Sequence, residues 1–209
     1  MTVVSVSKEK KHLMLIAFDN GSEIKIDTDV FLNNALGVGS ELSAEDIENL
    51  EYESDYERAK SRALWYLDRN DHTAKALYDK ITKAGFERKA SAAVIARLTE
   101  LGVVDDRRFA ENFAARCAEC NVSRREAAYK MMLKGVPKEI ASEALDNEDA
   151  DESEQIAALI AKKYRTKIAS ENGVQKVYAA LIRKGFSYGK VRDALKKYSE
   201  ELLYGEDLE

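Results

Sequence analysis

The hydrophobic positions of this chain change period once. Over the first fifty residues apolar and polar side chains alternate: "VVSVS" and "KHLMLIAF" run into Asp19-Asn20-Gly21-Ser22, and "EIKID" comes next. Alternation of period two predicts half-buried strands, and Asn-Gly between two such runs predicts a tight hairpin with the positive φ angles supplied by that pair. A short helix "TDVFLNNAL" is expected after a Thr28 cap, stopping at Gly37, and Ser43 with Asp46 three residues on forms a variant capping box opening "SAEDIENL". This front end is too short to hold much of a core alone and is expected to lean on the helices C-terminal to it.

From Glu57 onward the spacing is helical. "YERAKSRALWYLDRN" puts Ala59, Ala63, Trp65, Tyr66 and Leu67 near one broad face, with Trp65 expected in the core. Asp71 and Thr73 are candidate caps for "AKALYDKITKAG", and a further helix "ASAAVIARLTELG" ends at Gly102. Gly85, Gly135 and Gly185 then stand 50 residues apart, each followed by an apolar residue, as in "TKAGF", "LKGV" and "IRKGF". Glycine there suits the left-handed position that closes a helix. Ile95, Leu145 and Leu195 stand ten residues after each glycine; Ile81, Met131 and Leu181 stand four before; Thr73, Ser123 and Gly173 stand twelve before, where the third copy lacks a capping side chain. A fixed period with constant phase predicts one three-helix unit built three times. The predicted helices are 57–70, 73–84 and 88–101; 106–119, 123–134 and 137–146; 153–168, 173–184 and 188–203. Pro137, the single proline, fits the first position of a helix.

The expected fold is therefore mainly α: tandem three-helix repeats, three units in an elongated array, with a small N-terminal segment containing a β-hairpin. The expected divisions are a β-rich segment 1–56, repeats at 57–104, 105–150 and 151–203, and an acidic tail 204–209. The short helix–Gly–helix joints predict steep crossings like those of a helix-turn-helix.

Charge sharpens this picture. The net charge of −5 over 209 residues conceals segments of opposite sign: residues 1–57 hold 4 basic and 13 acidic side chains, whereas residues 156–199 hold 11 basic and 2 acidic. The third unit is thus the candidate polyanion surface, with Lys162, Lys163, Arg165, Lys167, Lys176, Arg183, Lys184 and Lys190 interleaved with Tyr164, Tyr178, Tyr188 and Tyr198. Arg107, Arg108, Arg124, Arg125 and Lys134 are the corresponding candidates in the second unit. The acidic front end and tail would repel free nucleic acid, which suits a protein whose main partner is another protein.

Catalytic and metal motifs are absent from the sequence. No phosphate loop, HExxH or GxSxG occurs, "GVGSEL" lacks the third glycine of a dinucleotide fingerprint, and the two histidines, His12 and His72, are far apart. Cys117 and Cys120 form a CxxC without a βαβ context or two further ligands, so they read as structural thiols. A non-enzymatic protein without cofactor or metal is expected. No run is long enough for a membrane span and the N-terminus lacks the pattern of a signal peptide, which predicts a cytoplasmic protein; a monomer is expected.

The stretch "ALWYLDRNDHTAKALYDKITKAGFERKASAAVIARLTELGVVDDRRFAENF" resembles the first unit of the RecX family of bacterial recombinase regulators, most specifically through "LTELGVVDDRRFA", Leu98–Ala110. "KGVPKEIASEAL" resembles the joint of the second unit, and the β-rich front end followed by "SAEDIENLEYESDYERAKSRAL" resembles members from Gram-positive lineages. One stretch departs: "SRREAAYKMMLKG" stands where family members more often have a glycine-containing lead into "ELxxKG". The resemblance implies a protein that lies along the groove of the RecA filament on single-stranded DNA and inhibits its ATPase, strand-exchange and co-protease activities, with weak direct DNA binding as an accompanying property. The alternative reading of the same basic residues is a DNA-binding helical protein that uses its helix-turn-helix-like joints.

Overall fold

The computed structural model describes residues 1–10, 12–148 and 150–205, with the side chains of 200–205 left aside. It divides into two compact bodies, the first Met1–Asp105 and the second from Asp106 onward.

In the first body β1 (Val3–Lys10), β2 (Leu13–Phe18) and β3 (Glu23–Asp27) form an antiparallel sheet in the order β1-β2-β3. Register pairs Ile16 with Ile24 and Met14 with Ile26, so the alternation turns Ile16, Ile24 and Ile26 to one buried face with Val3 and Phe18. At the β2–β3 turn only Gly21 is left-handed, at φ 81°, with its N–H bonded to the Phe18 carbonyl at 3.0 Å; Asn20 keeps a negative φ, unlike the expectation for Asn-Gly. The short helix α1 (Thr28–Asn33) is capped by Asp27, whose Oδ1 accepts from Asp29 N at 2.9 Å, and not by Thr28. It ends before Gly37, the chain turning at Ala35 with φ 49°.

Helix α2 is Ala44–Leu67, opened by the Ser43–Asp46 capping box. It runs through position 57, so the helix expected over 57–70 begins thirteen residues earlier and stops at Leu67. Nothing in "NLEYESDYERAK" breaks a helix, and charge favours continuity. Residues 44–57 hold seven acidic and no basic side chains, with Glu45 and Asp46 in the first turn where they complement the helix dipole, and residues 58–67 three basic and no acidic ones. Ile47 and Leu50 close the core of the sheet, while Ala59 and Ala63 pack with Leu77, Ile81, Val94 and Leu98 from α3 (Ala74–Lys83) and α4 (Arg88–Glu100). Between the two cores the buried Ser54 accepts from Asp27 N at 2.8 Å, and Asp55 Oδ2 accepts from Glu87 N at 3.2 Å at the uncapped start of α4. One helix therefore completes two cores, which is why the front end needs no core of its own.

Trp65 is not in that core. The inward line of α2 is Ala59, Ala63 and Tyr66, and a residue two positions from Ala63 points away from it. Trp65 is 45% exposed, with the guanidinium of Arg69 3.7 Å and that of Arg62 5.5 Å from its ring centroid.

The second body holds α5 (Asp106–Glu119), α6 (Arg124–Leu133) and α7 (Lys138–Asp146), and then α8 (Glu152–Leu159), a π-helical turn Ile160–Tyr164, α9 (Arg165–Ile168), α10 (Gly173–Arg183) and α11 (Tyr188–Gly205). The tail read for 204–209 lies, from residue 206 on, outside the described residues. Each triplet surrounds its own core: Phe109, Ala114, Met131 and Val136 in one, Ile156, Ile160, Leu181 and Phe186 in the other.

The joints at Gly135 and Gly185 are Schellman closures. Val136 N bonds Met131 O at 3.1 Å and Phe186 N bonds Leu181 O at 3.3 Å, while each glycine N–H reaches back to the residue three before it at 2.9 Å. These glycines, with Gly85, have φ between 85° and 96°. The apolar residue after each glycine lies against the last turn it has just left, which secures the exit angle. Pro137 takes the extended position just before α7, φ −56° and ψ 144°, one residue earlier than anticipated.

The third unit departs from an uninterrupted helix over 153–168. Its buried residues Ile156, Ile160, Tyr164 and Ile168 recur every four positions. In an α-helix a four-residue step overshoots a full turn by about 40°, so the stripe would drift off the core; the π turn absorbs the surplus. Gly173 is also explained. A side chain there would begin 2.0 Å from the carbonyl oxygen of Lys167 and 2.6 Å from that of Ile168. Instead of a capping hydroxyl, the third copy needs a residue without Cβ where α9 abuts α10, and the left-handed Asn172 at φ 56° makes the turn.

Candidate interaction surface

The basic residues of the second repeat are drawn into its own framework. Arg107, on the first turn of α5, meets Glu143 of α7 at 2.6 Å, and Arg124 at the start of α6 pairs with Asp146 at the end of α7. Arg108 is exposed on the first turn of α5, and Lys134, the C-cap of α6, lies 5.8 Å from the Phe113 ring centroid. Lys130, which bridges to Glu126 at 2.7 Å, has its pKa raised, first by that hydrogen bond.

Arg125 and Lys184 belong to the joint between repeats two and three. Ser123 caps α6 by accepting from Glu126 N at 3.2 Å, and the same hydroxyl donates to the Lys184 carbonyl at the end of α10. A Cβ on Gly185 would stand 2.8 Å from Ser123 Oγ and 2.9 Å from Arg125 Cβ. Lys184 Nζ lies 3.9 Å from Glu126, and Gln155 Nε2 donates to the Ala118 carbonyl at 3.5 Å. A helix start in one repeat is thereby tied to a helix end in the next, beside a cleft of about 640 Å³ walled by Cys117, Met132 and Lys190. Burial in that wall pushes the Cys117 thiol pKa up, while Cys120 is exposed.

In the third repeat the nominated residues separate into two sets. Lys190 sits 3.8 Å from Asp151 and 3.6 Å from Glu152; Lys176 Nζ donates to the Glu171 carbonyl at 3.2 Å; Arg183 Nε donates to the Ala179 carbonyl at 3.3 Å. Glu152 also accepts from the Ser187 N–H at 2.7 Å and its hydroxyl at 2.9 Å, anchoring the start of α11. Lys162, Lys163, Arg165 and Lys167, by contrast, are all exposed on the π turn and α9, and no ion pair engages them among the described residues. The interleaved tyrosines do not accompany them as a stacking row: Tyr164 is buried, Tyr178 and Tyr198 are packed against the core, and Tyr188 is exposed. The alternation of residue types along the sequence crosses from one side of the helix to the other. The four-residue spacing of Ile156, Ile160, Tyr164 and Ile168 was the available signal for this.

Among the described residues no group of three or more His, Cys, Asp or Glu side chains could hold a metal ion, and no helix is long and apolar enough to cross a membrane.

Comparison with known families settles the grouping of these helices. Residues 59–98 match the RecX first three-helix domain, residues 105–145 the second and residues 150–195 the third. The chain belongs to the RecX family. A regulatory protein RecX from Clostridium tetani is 26% identical over 207 residues, covering 99% of this chain and 95% of that one. A regulatory protein RecX from Streptococcus gordonii is 26% identical over 220 residues, covering 99% and 83%. Among solved structures, a crystal structure of regulatory protein RecX superposes with a TM-score of 0.70 at 19% identity, covering 94% of this chain and 98% of that one. RecX from Lactobacillus salivarius superposes with a TM-score of 0.60 at 22% identity, covering 68% and 96%. These likenesses establish for this RecX-family chain a helical fold of three three-helix domains behind a small antiparallel sheet.

Proposed function

We propose that this RecX-family protein is a cytoplasmic, monomeric, non-enzymatic regulator that binds the RecA filament on single-stranded DNA along its groove and inhibits RecA ATPase, strand exchange and co-protease activity. The regulatory name of its relatives supports a role in control of the recombinase. The observation that carries the reading to a filament of protein and nucleic acid is the basic cluster Lys162, Lys163, Arg165 and Lys167 on the outer side of the third repeat, without an ion pair among the described residues. Cations not engaged by the protein's own carboxylates are the ones able to release counterions from a phosphate backbone. The strongly acidic residues 1–57 oppose capture by bare nucleic acid, so the filament is favoured over free DNA. Successive repeats engaging successive protomers add affinity by multivalency.

The test is ATP hydrolysis by RecA preassembled on single-stranded DNA, measured against added protein together with filament length by electron microscopy. Inhibition at sub-stoichiometric protein is expected; unchanged hydrolysis and no association at low salt would sink the reading. Strong, sequence-selective binding to bare duplex with a steep salt dependence would replace it with direct DNA binding through the helix joints.

A further inference from the structure

The three repeats serve as controls for one another, because each solves the same folding problem in the same register. On α6 the residues opposite the buried Ala127 and Met131 are Tyr129, Met132 and Leu133, exposed by 59%, 55% and 69%. They lie at helical spacing on one side, with Arg125 a turn earlier. Fifty residues upstream, the same positions of α3 are Asp79, Thr82 and Lys83; fifty residues downstream, those of α10 are Ala179, Ile182 and Arg183. The fold does not require three apolar residues there: the first repeat presents three polar side chains at these positions and closes on a left-handed glycine as well, and in the third only Ile182 is large and apolar, half-buried against its own core. Only in the second repeat are an aromatic, a thioether and a leucine exposed together there, Met132 at the border with the cleft toward the third repeat, on a helix whose inward face is already supplied.

We infer that the outer face of α6, Tyr129, Met132 and Leu133 with Arg125 at its edge, is a protein-docking surface that seats in an apolar cleft rimmed by carboxylates on the recombinase of the filament. This rests on the proposed function and divides its labour: the second repeat holds the protein and the third meets the phosphates. Methionine and leucine offer no hydrogen bond to a phosphate or a base edge, and tyrosine, methionine and arginine are the residue types enriched where proteins meet. Arg125 is exposed and forms no ion pair among the described residues, so its charge stays available to an acidic rim.

The repeats also supply the test. Exchanging the patch for the residues of the first repeat, Tyr129→Asp with Met132→Thr and Leu133→Lys, keeps the net charge and uses side chains that the same fold already tolerates at those positions. Full-length protein is co-sedimented with RecA filaments on poly(dT), titrated against bare poly(dT) by anisotropy, and sized by analytical ultracentrifugation. The exchanged protein should bind filaments at least tenfold more weakly, with bare-strand affinity changed less than twofold. A second variant with the residues of the third repeat, Tyr129→Ala, Met132→Ile and Leu133→Arg, should behave likewise, and circular dichroism confirms that each is folded. If wild-type protein fails to bind filaments, the proposed function itself falls, and this inference with it. If wild-type binds and both folded variants bind equally well, this inference alone is overturned. A parallel loss on bare poly(dT) would assign the surface to nucleic acid, and a wild-type dimer made monomeric by the exchange would assign it to self-association; either overturns it.

Discussion

The second and third repeats are built from the same three helices in one register, yet their basic residues have different fates. In the second repeat Arg107 and Arg124 fasten α5 and α6 to the carboxylates of α7. In the third, Lys162, Lys163, Arg165 and Lys167 stand on a helix whose π turn keeps the apolar stripe inward and leaves them outside. A count of charges per segment therefore misjudges the charge on offer. What matters is whether the next helix supplies a carboxylate within reach.

The most disruptive way to break the comparison is at the joint the two repeats share. Gly185→Ala forces a side chain onto Ser123 and Arg125 at a left-handed backbone, whereas Gly85 has nothing within 4 Å of a new Cβ. Gly185→Ala should lose about 3 kcal/mol of stability and Gly85→Ala about 1 kcal/mol, read from urea denaturation of each. Equal losses would mean that the close approach of the repeats contributes nothing.

Replacing Lys162, Lys163, Arg165 and Lys167 together by glutamine should weaken filament binding on the order of a hundredfold and flatten its log–log salt dependence by about 3, since each phosphate contact on a single strand contributes about 0.7. An unchanged slope would place the phosphate contacts elsewhere. Ser123→Ala removes a cap and a tie to the next repeat at one stroke; it should cost about 1–2 kcal/mol and raise amide exchange at both the start of α6 and the end of α10. Exchange raised at α6 alone would mean that the hydroxyl acts only as a cap. Arg107→Gln with Arg124→Gln should alter filament affinity less than about threefold and stability by about 0.5 kcal/mol per exposed pair. A loss matching that of the third-repeat set would show the paired arginines to be available after all.

The mildest contrast is acid sensitivity. The helix α6 is capped by a serine, which does not titrate there, and α8 by Asp151, whose carboxylate accepts from Ser153 N and is held below the ordinary aspartate range chiefly by that bond. A carboxylate with a depressed folded pKa stabilises above its unfolded pKa, near 4, and loses this as pH falls through the folded value. Lowering the pH from 5 to 2.5 should loosen the first turn of α8 before that of α6, followed by NMR amide exchange.

How much of this could be read from the sequence depends on the range of the interaction. Thr73, Ser123 and the three joint glycines were legible because caps and Schellman closures are made within a few residues of the chain. Trp65 was misplaced because a broad apolar run does not state which of its residues faces inward once neighbouring alanines suffice to fill the contact. The basic residues were found as a set but could not be sorted, since Glu143, Asp146 and Glu152 reach them from other helices.

By itself the sequence determined the period: a β-rich front end, then one three-helix unit built three times, with each joint closed by a glycine and the apolar residue after it. These are local preferences of the backbone and of helical spacing, and they survive any arrangement of the helices. Only the tertiary structure decided that α2 serves two cores, that a π turn holds Ile156, Ile160, Tyr164 and Ile168 in line, that Gly173 and Gly185 are places of close approach, and which cations remain unpaired among the described residues. Those outcomes depend on distances between segments far apart in the chain, and a linear pattern contains no measure of them.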